Sequence, residues 1–399
     1  MRFPIIVIAV FIIIDLFVDG YIYMAIKRRA PYSRRRRLLK FQTIESLIFL
    51  CVLISLIFMP VRTTSDTLLR VVMWLLYGYL TVYVPKIFWI IIDLIASIPK
   101  LSNRPRIGWL SGVGSIGAGI IFIMMWWGAL VNRFNIQVRE IEVPVKNLPA
   151  AFDGFKIAQF SDLHTGTFGK QTKFVSKLVD EINGLNPDLI VFTGDIVNRN
   201  SNELIPFVSI LSRLHAPYGV VSVMGNHDYG DYTTWASDIE KQANLKTLHR
   251  LEKKMGWDLL LNQSKNFYRG NDSILIIGVE NIGDPPFHVY GSLEKACDDT
   301  STSQAKILLS HNPAHWTSDI ADNPAHKIDL TLSGHTHAMQ VELLGMSPAV
   351  FRYPTWAGLY HDKTTSNRLY VNIGAGTVGL PMRIGATPEI TLITLRREY

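Results

Sequence analysis

Residues 219–230 read GVVSVMGNHDYG: a β-branched run of strand length, GVVSV, that breaks at once into Gly225, Asn226, His227 and Asp228. The apolar half reads as a strand and the polar quartet as the loop that leaves it. The same grammar recurs on both sides. KIAQF (156–160) precedes Asp162-Leu163-His164, DLIVF (188–192) precedes Gly194-Asp195, KILLS (306–310) runs into His311-Asn312, and DLTLS (329–333) precedes Gly334-His335-Thr336-His337. ILIIG (274–278), RLYVN (368–372) and ITLITL (390–395) read as further strands, with helical patterns at 170–184, 202–214 and 236–255 between them. Strands alternating with helices predict a layered α/β sandwich around a buried sheet.

In open α/β sheets, ligands bind beyond the carboxyl ends of the strands. Five separate loops therefore bring Asp, His and Asn side chains to one edge, a coincidence that core packing does not produce by itself. Imidazole, carboxylate and amide oxygen, with no thiolate, suit Mn, Fe or Zn better than Mg or Ca alone. Two such cations about 3.5–4 Å apart can clamp a phosphate, stabilise the entering and leaving oxygens, and acidify a bridging water to hydroxide near neutral pH. Residues two apart in an extended segment share a face, so Asp162 and His164 can reach one ion. The same spacing would aim His335 and His337 together.

The first third of the chain has another texture. Overall, 48% of the 399 residues are hydrophobic and 18% charged, which excludes a disordered or fibrous protein. Residues 1–140 carry 17 Lys/Arg against 6 Asp/Glu, a net +11, whereas the rest is slightly acidic at −4. A nucleic-acid-binding protein would place its basic excess on the folded domain, so no nucleic acid is expected. Two cysteines, Cys51 and Cys297, can form neither a disulfide framework nor a thiolate metal site. Apolar runs at roughly 3–26, 41–60, 67–98 and 108–131 are each long enough to cross a bilayer, predicting an all-α transmembrane region of about four helices. Lys27, Arg28 and Arg29 follow the first run, where a signal peptide would carry its charge before it, so this run is expected to stay attached. Eight basic residues between the first two runs hold that loop in the cytoplasm, and Lys100, Arg104 and Arg106 mark a second loop on the same side. Everything beyond the fourth helix is then extracytoplasmic, unless the long run 67–98, which contains Pro85 and Lys86, crosses twice. Of the acidic residues in these runs, Asp19, Glu45 and Asp93 read as snorkelling near span ends, and Asp15 as a polar contact between helices. The expected organisation is a transmembrane region over 1–135, a linker over 136–150 and a catalytic domain over 151–399.

The blocks Asp162-x-His164, Gly194-Asp195, Gly225-Asn226-His227-Asp228, His311 and Gly334-His335-x-His337 resemble the five motifs of the calcineurin-like metallophosphoesterases. The tail through Asn372, Gly374, Gly376, Pro381, Arg383, Pro388 and Glu389 is similar to the membrane-associated bacterial branch. The resemblance covers most of the soluble part and implies a four-layer α/β/β/α sandwich with a dinuclear metal centre. Carried over position by position, it gives one metal to Asp162, His164 and His337, the other to Asn226, His311 and His335, and makes Asp195 the bridge. It also makes His227 the candidate catalytic acid. Some relatives carry an acid three residues after the glycine-aspartate pair to orient that histidine; here the position is Asn198, which can hydrogen-bond but cannot stabilise an imidazolium by charge. Asp228 is an alternative partner, or a helix cap.

His315, four residues after His311, and His361, in an aromatic loop with Tyr353, Trp356 and Tyr360, are candidates for the border of a substrate pocket. Gly374-Ala375-Gly376-Thr377 followed by Arg383 offers amides and a guanidinium to a phosphate. The expected protein is an integral membrane protein of the bacterial inner or plasma membrane. It would hydrolyse a phosphate ester, possibly of a lipid, by metal-activated hydroxide. One alternative is a lipid-precursor pyrophosphatase similar to UDP-diacylglucosamine hydrolases, whose substrate is made in the cytoplasm. Another is a non-catalytic membrane receptor or scaffold on the same fold.

Overall fold

The computed structural model describes residues 5–59, 62, 63, 65–283, 285, 287–297, 305–323 and 326–398. The chain forms two compact units, Met1–Ala129 with Gly379–Pro381, and Leu130–Val378 with Met382–Tyr399.

The first unit is built from α1 (Ile5–Arg29), α2 (Tyr32–Ile57), α3 (Asp66–Ser97) and α4 (Gly108–Leu130), all four long and apolar enough to span a membrane. Ser65 caps α3 by accepting from the Leu68 amide, and the helix runs through Pro85 without a break. The 67–98 run is thus one helix, not two crossings. Asp15 behaves as expected, accepting from the Tyr79 hydroxyl of α3 at 2.5 Å. Asp19, Glu45 and Asp93, read as snorkelling, instead point inward to partners. Lys86 bonds Asp19 at 2.9 Å and Glu45 at 2.7 Å, and Asp93, fully buried, takes Arg29 at 2.6 Å and Arg106 at 2.8 Å. The cause is the low dielectric of an apolar bundle, where a charge is held by an opposite charge more cheaply than alone.

The second unit contains two six-stranded sheets. The strands are β1 (Gln137–Val145), β2 (Lys156–Phe160), β3 (Leu189–Phe192), β4 (Val220–Ser222), β5 (Trp257–Leu259), β6 (Gln263–Arg269), β7 (Asp272–Gly278), β8 (Ala305–Leu309), β9 (Leu330–Ser333), β10 (Gly358–His361), β11 (Arg368–Val371) and β12 (Glu389–Arg397). The first sheet has the order β1-β12-β2-β3-β4-β5 and the second β10-β11-β9-β8-β7-β6. Strand alternation explains the layering. Ile157, Leu189 and Val191 join Ile274, Ile276 and Ile307 in the core between the sheets. Their neighbours Ala158, Ile190 and Phe192 face the outer layer of α5 (Lys173–Gly184), α6 (Val208–Leu211) and α7 (Asp238–Lys254). Leu275, Ile277 and Leu308 pack outward against Trp316 and Ile320.

All eight strands expected from the sequence are present. The segment 136–150, expected to be a linker, instead contains β1, which pairs in parallel with β12 over nine residues, Gln137 to Val145. The predicted helix at 202–214 is reduced to α6 and short 3₁₀ turns. β2, β3 and β4 are mutually parallel, as are β8 and β9, so the loops leaving them emerge at common sheet edges.

Candidate metal centre

Three of the five loops turn sharply where they leave their strands. Asp162, His164, Asp195, His335 and His337 all hold positive φ, between 47° and 74°. Such backbone is costly for residues with a Cβ and persists where surrounding structure fixes it, commonly at functional sites. The loops also interpenetrate. Gly194 has φ +97°, and a Cβ there would stand 2.6 Å from the Gly225 amide nitrogen. Only glycine admits the approach that brings Asp195 to Asn226.

The side chains gather into two groups, Asp162 with His164 and His337, and Asp195 with His311 and His335; within each, one ligand atom per residue lies within 4.8 Å of the others. In the first, His164 Nε2 is 3.0 Å from His337 Nε2, which is 3.2 Å from Asp162 Oδ1. In the second, His311 Nε2 stands 3.2 Å from Asp195 Oδ2, 3.1 Å from Asn226 Oδ1 and 3.2 Å from His335 Nδ1. Asp195 Oδ2 is also 3.7 Å from His164 Nε2, so one oxygen faces both groups. His335 and His337 part company although they are two residues apart, because both hold positive φ, 74° and 50°, on either side of a right-handed Thr336, so the segment is not extended.

A second layer of contacts orients these atoms. His311 Nδ1 donates to the Thr193 carbonyl at 2.8 Å, which leaves Nε2 as the inward atom. Asn226 Nδ2 donates to the Tyr232 hydroxyl at 2.7 Å, which turns Oδ1 toward the cluster. His335 Nε2 is 2.9 Å from the Tyr353 hydroxyl, so Nδ1 is the inward atom. The Asp162 carboxylate accepts from the His335 amide, and Asp195 Oδ1 from the His227 amide at 2.8 Å. Burial pushes the Asp195 carboxyl up, but the facing His311 and His227 pull further the other way, holding it well below the carboxylate range. Burial, joined by the charge of His311, pushes His335 down to about 3. An ionised acid beside a neutral imidazole is the state in which both donate to a cation. His311 differs, since Asp195 outweighs burial and draws it up to about 9.

His227 lies beside the cluster, half-buried, its ring perpendicular to His164 at 4.8 Å and stacked on Tyr232 at 4.0 Å. Its Nδ1 donates to a carbonyl of Asn198 at 2.7 Å, so Asn198 serves through its backbone, while its amide nitrogen donates to Thr167. Asp228 is not the partner of His227. Its carboxylate accepts from the amides of Asp195, Ile196, Val197 and Gly225, pinning two of the five loops together.

Two candidates for the substrate border are placed elsewhere. Arg383 is fully buried behind His337, and its guanidinium donates to the carbonyls of Gly376, Ala386 and Ile373, with Nη2 3.1 Å from His337 Nδ1. Three carbonyls hold the cation inside the protein, so it braces the tail loop where it was expected to face a phosphate. His315 is also buried, with Nδ1 2.9 Å from Ser310 Oγ and Nε2 3.6 Å from Asp319. Tyr232 carried no motif that would single it out in the sequence. Tyr353 was visible only as part of an aromatic loop.

The sequence that builds this site has relatives among known proteins. Residues 155–339 match the calcineurin-like phosphoesterase family model. An uncharacterized metallophosphoesterase of Bacillus subtilis (strain 168), YkuE, is 33% identical over 312 residues, 74% of this chain and 98% of the relative. The chain belongs to the calcineurin-like metallophosphoesterases. Residues 1–133 of this metallophosphoesterase match a second model, described as "Probable Calcineurin-like phosphoesterase, transmembrane domain". A transmembrane protein with metallophosphoesterase domain from Bos taurus is 33% identical over 264 residues, 65% of this chain but only 57% of the cattle protein. An uncharacterized metallophosphoesterase of Campylobacter jejuni, Cj0846, is 25% identical over 89% of both chains.

Proposed function

We propose that this metallophosphoesterase hydrolyses a phosphate ester at the surface of the membrane in which its four helices are set. Asp162, His164 and His337 would hold one divalent cation, Asn226, His311 and His335 the other, with Asp195 shared. The observation that carries the reading is Asp195 Oδ2, which faces His164 Nε2 and His311 Nε2 at 3.7 and 3.2 Å. The donor set fits Mn, Fe or Zn. When bound, such a pair supplies positive charge to a phosphate and acidifies water.

The chain's own part is positioning and proton handling. Six of the seven ligand side chains are at least nine-tenths buried and oriented by neighbours, so the site is organised before substrate arrives. His227, with Nδ1 fixed on the Asn198 carbonyl, keeps Nε2 for donating a proton to the leaving oxygen. The complete donor set favours an enzyme over a receptor or scaffold on the same fold.

We further place the catalytic unit outside the cytoplasm, in a bacterial plasma or inner membrane. Three crossings, α2, α3 and α4, separate it from the basic loop at 27–40. This placement speaks against a lipid-precursor pyrophosphatase acting on a substrate made in the cytoplasm. The test is metal analysis of the detergent-solubilised full chain together with a panel of phosphomonoester, phosphodiester and pyrophosphate substrates. About two equivalents of metal, and turnover lost on chelation and regained on adding Mn, Fe or Zn, are the expected result. Undiminished turnover after complete metal removal would overturn the reading.

A further inference from the structure

The loop that follows the last metal-ligand motif is unusually apolar for a surface. Among the described residues from 132 onward, eleven large apolar side chains are exposed, and six lie between 339 and 351: Met339, Leu343, Leu344, Met346, Val350 and Phe351. Concentrated exposure of this kind marks a contact surface, unlike single exposed residues. Its tip is a tight hairpin closed by Leu343 N to Met346 O at 2.8 Å and Met346 N to Leu343 O at 3.0 Å. The two turn residues, Leu344 and Gly345, have φ +54° and +77°. Such turns strongly prefer Asn, Asp or Gly, because a Cβ is strained at positive φ. Leu344 is therefore both conformationally strained and 99% exposed, and Phe351 is 92% exposed. Water rewards neither arrangement; an apolar medium rewards both exposed side chains.

The medium at hand is the bilayer. α4 ends at Leu130 and β1 begins at Gln137, so only the six residues 131–136 join the catalytic unit to a helix long and apolar enough to span a membrane. Within that unit, the residue two past α4 is next to the hairpin stem. Asn132 Nδ2 donates to the Arg383 carbonyl at 3.0 Å, and Ile384 then bonds the stem, donating to Gln340 O at 2.8 Å and accepting from the Glu342 amide at 2.7 Å. The same loop continues into Arg352, exposed and basic, and Tyr353, whose hydroxyl meets His335.

We infer that the segment 343–351 dips into the bilayer that carries α1–α4, so that the metal centre takes its phosphate ester from an amphiphile anchored in that bilayer. Arg352 sits at the level where an anionic head group would lie. The inference rests on the phosphoesterase reading for the substrate and on the loop alone for membrane contact.

The test uses the full chain in phosphatidylcholine–phosphatidylglycerol vesicles. With Cys51 and Cys297 changed to Ser, single variants Leu344→Cys, Phe351→Cys and, as an exposed control away from the loop, Tyr268→Cys are labelled with an environment-sensitive fluorophore. Labels at 344 and 351 are expected to shift to the blue and to be quenched by nitroxide lipids at least about twofold more than the label at 268. Quenching by aqueous iodide at 344 equal to that at 268 overturns membrane contact. A blue shift without lipid quenching overturns it too, since a second copy or another protein would then be the cover. Leu344→Asn, which suits the left-handed turn better than leucine, isolates the effect from folding. It should lower the ratio of phosphatidic acid to p-nitrophenyl phosphate turnover about tenfold. An unchanged ratio, or wild-type turnover of the soluble ester alone, sinks the proposed substrate class. If the wild type hydrolyses no ester at all, the metal-centre reading fails instead, and the quenching result still decides the loop.

Discussion

Asp195 and His227 are neighbours joined by one hydrogen bond, the His227 amide on Asp195 Oδ1 at 2.8 Å, yet they answer for different things. Asp195 faces both ligand groups, so Asp195→Asn removes a charge on which both cations would depend. Turnover should fall by a factor of about a thousand or more, with bound metal lost, while the protein stays folded and in the membrane. His227 reaches neither group as a ligand. His227→Gln should keep the metal content and lower kcat by a factor of about 10²–10⁴. Metal analysis beside steady-state kinetics separates the two. Loss of metal in His227→Gln, or full retention of both metal and turnover in Asp195→Asn, would refute these assignments. The residue types and spacings made the seven ligand candidates legible in the sequence. Their division between two groups was not legible from spacing, because it depends on the left-handed backbone at His335 and His337, which no residue type announces. Arg383 misled for a related reason: a guanidinium near glycines reads as a phosphate site until three carbonyls are seen to surround it.

At the level of elements, what the sequence concealed follows a rule. The four strands without a clear signature, β1, β5, β6 and β10, are the four edges of the two sheets. A central strand is apolar on both faces, whereas an edge strand has one neighbour and a wet flank, so it tolerates charge and proline. β1, QVREIEVPV, carries Arg139, Glu140, Glu142 and Pro144 and so passed for a linker. The helix α7 holds a second concealed feature, Glu252, 1% exposed and accepting from Ser222 Oγ at 2.6 Å. Burial pushes its carboxyl up to about 8, from 4.5. The unfolded chain therefore releases this proton near pH 4.5 and the folded chain only near 8, so stability from this group is present below about 4.5 and declines as pH rises through that window. Glu252→Gln keeps a hydrogen-bonding group and removes the titration. Its Tm should match the wild type near pH 4.5 and exceed it increasingly toward pH 8, by an amount worth at most a few kcal/mol. A Tm difference that is constant from pH 4.5 to 8 would show that Glu252 is ionised in the fold.

For the whole molecule the deciding quantity is the number of crossings between the basic loop and the catalytic unit. α3 is one helix through Pro85 and counts once, which makes the proposed number three, since a proline inside a long helix can be absorbed when it is packed. The ends agree with it: Asp93 near the end of α3 binds both Arg29 at the end of α1 and Arg106 just before α4, which puts the two basic loops at one level of the bundle. In the orientation we propose, Lys27, Arg28, Arg29, Arg34–Arg37 and Lys40 would keep that level in the cytoplasm, because short loops this rich in Lys and Arg resist translocation. On that proposed orientation the catalytic unit would lie on the far side. A reporter joined after Glu398 should be active only when it is one that works outside the cytoplasm. Neutralising Arg34, Arg35, Arg36 and Arg37 together should produce a mixed population, because four of the eight charges that set the orientation are removed. Activity confined to a cytoplasmic reporter would reverse the assignment of sides, and with it readmit substrates made in the cytoplasm.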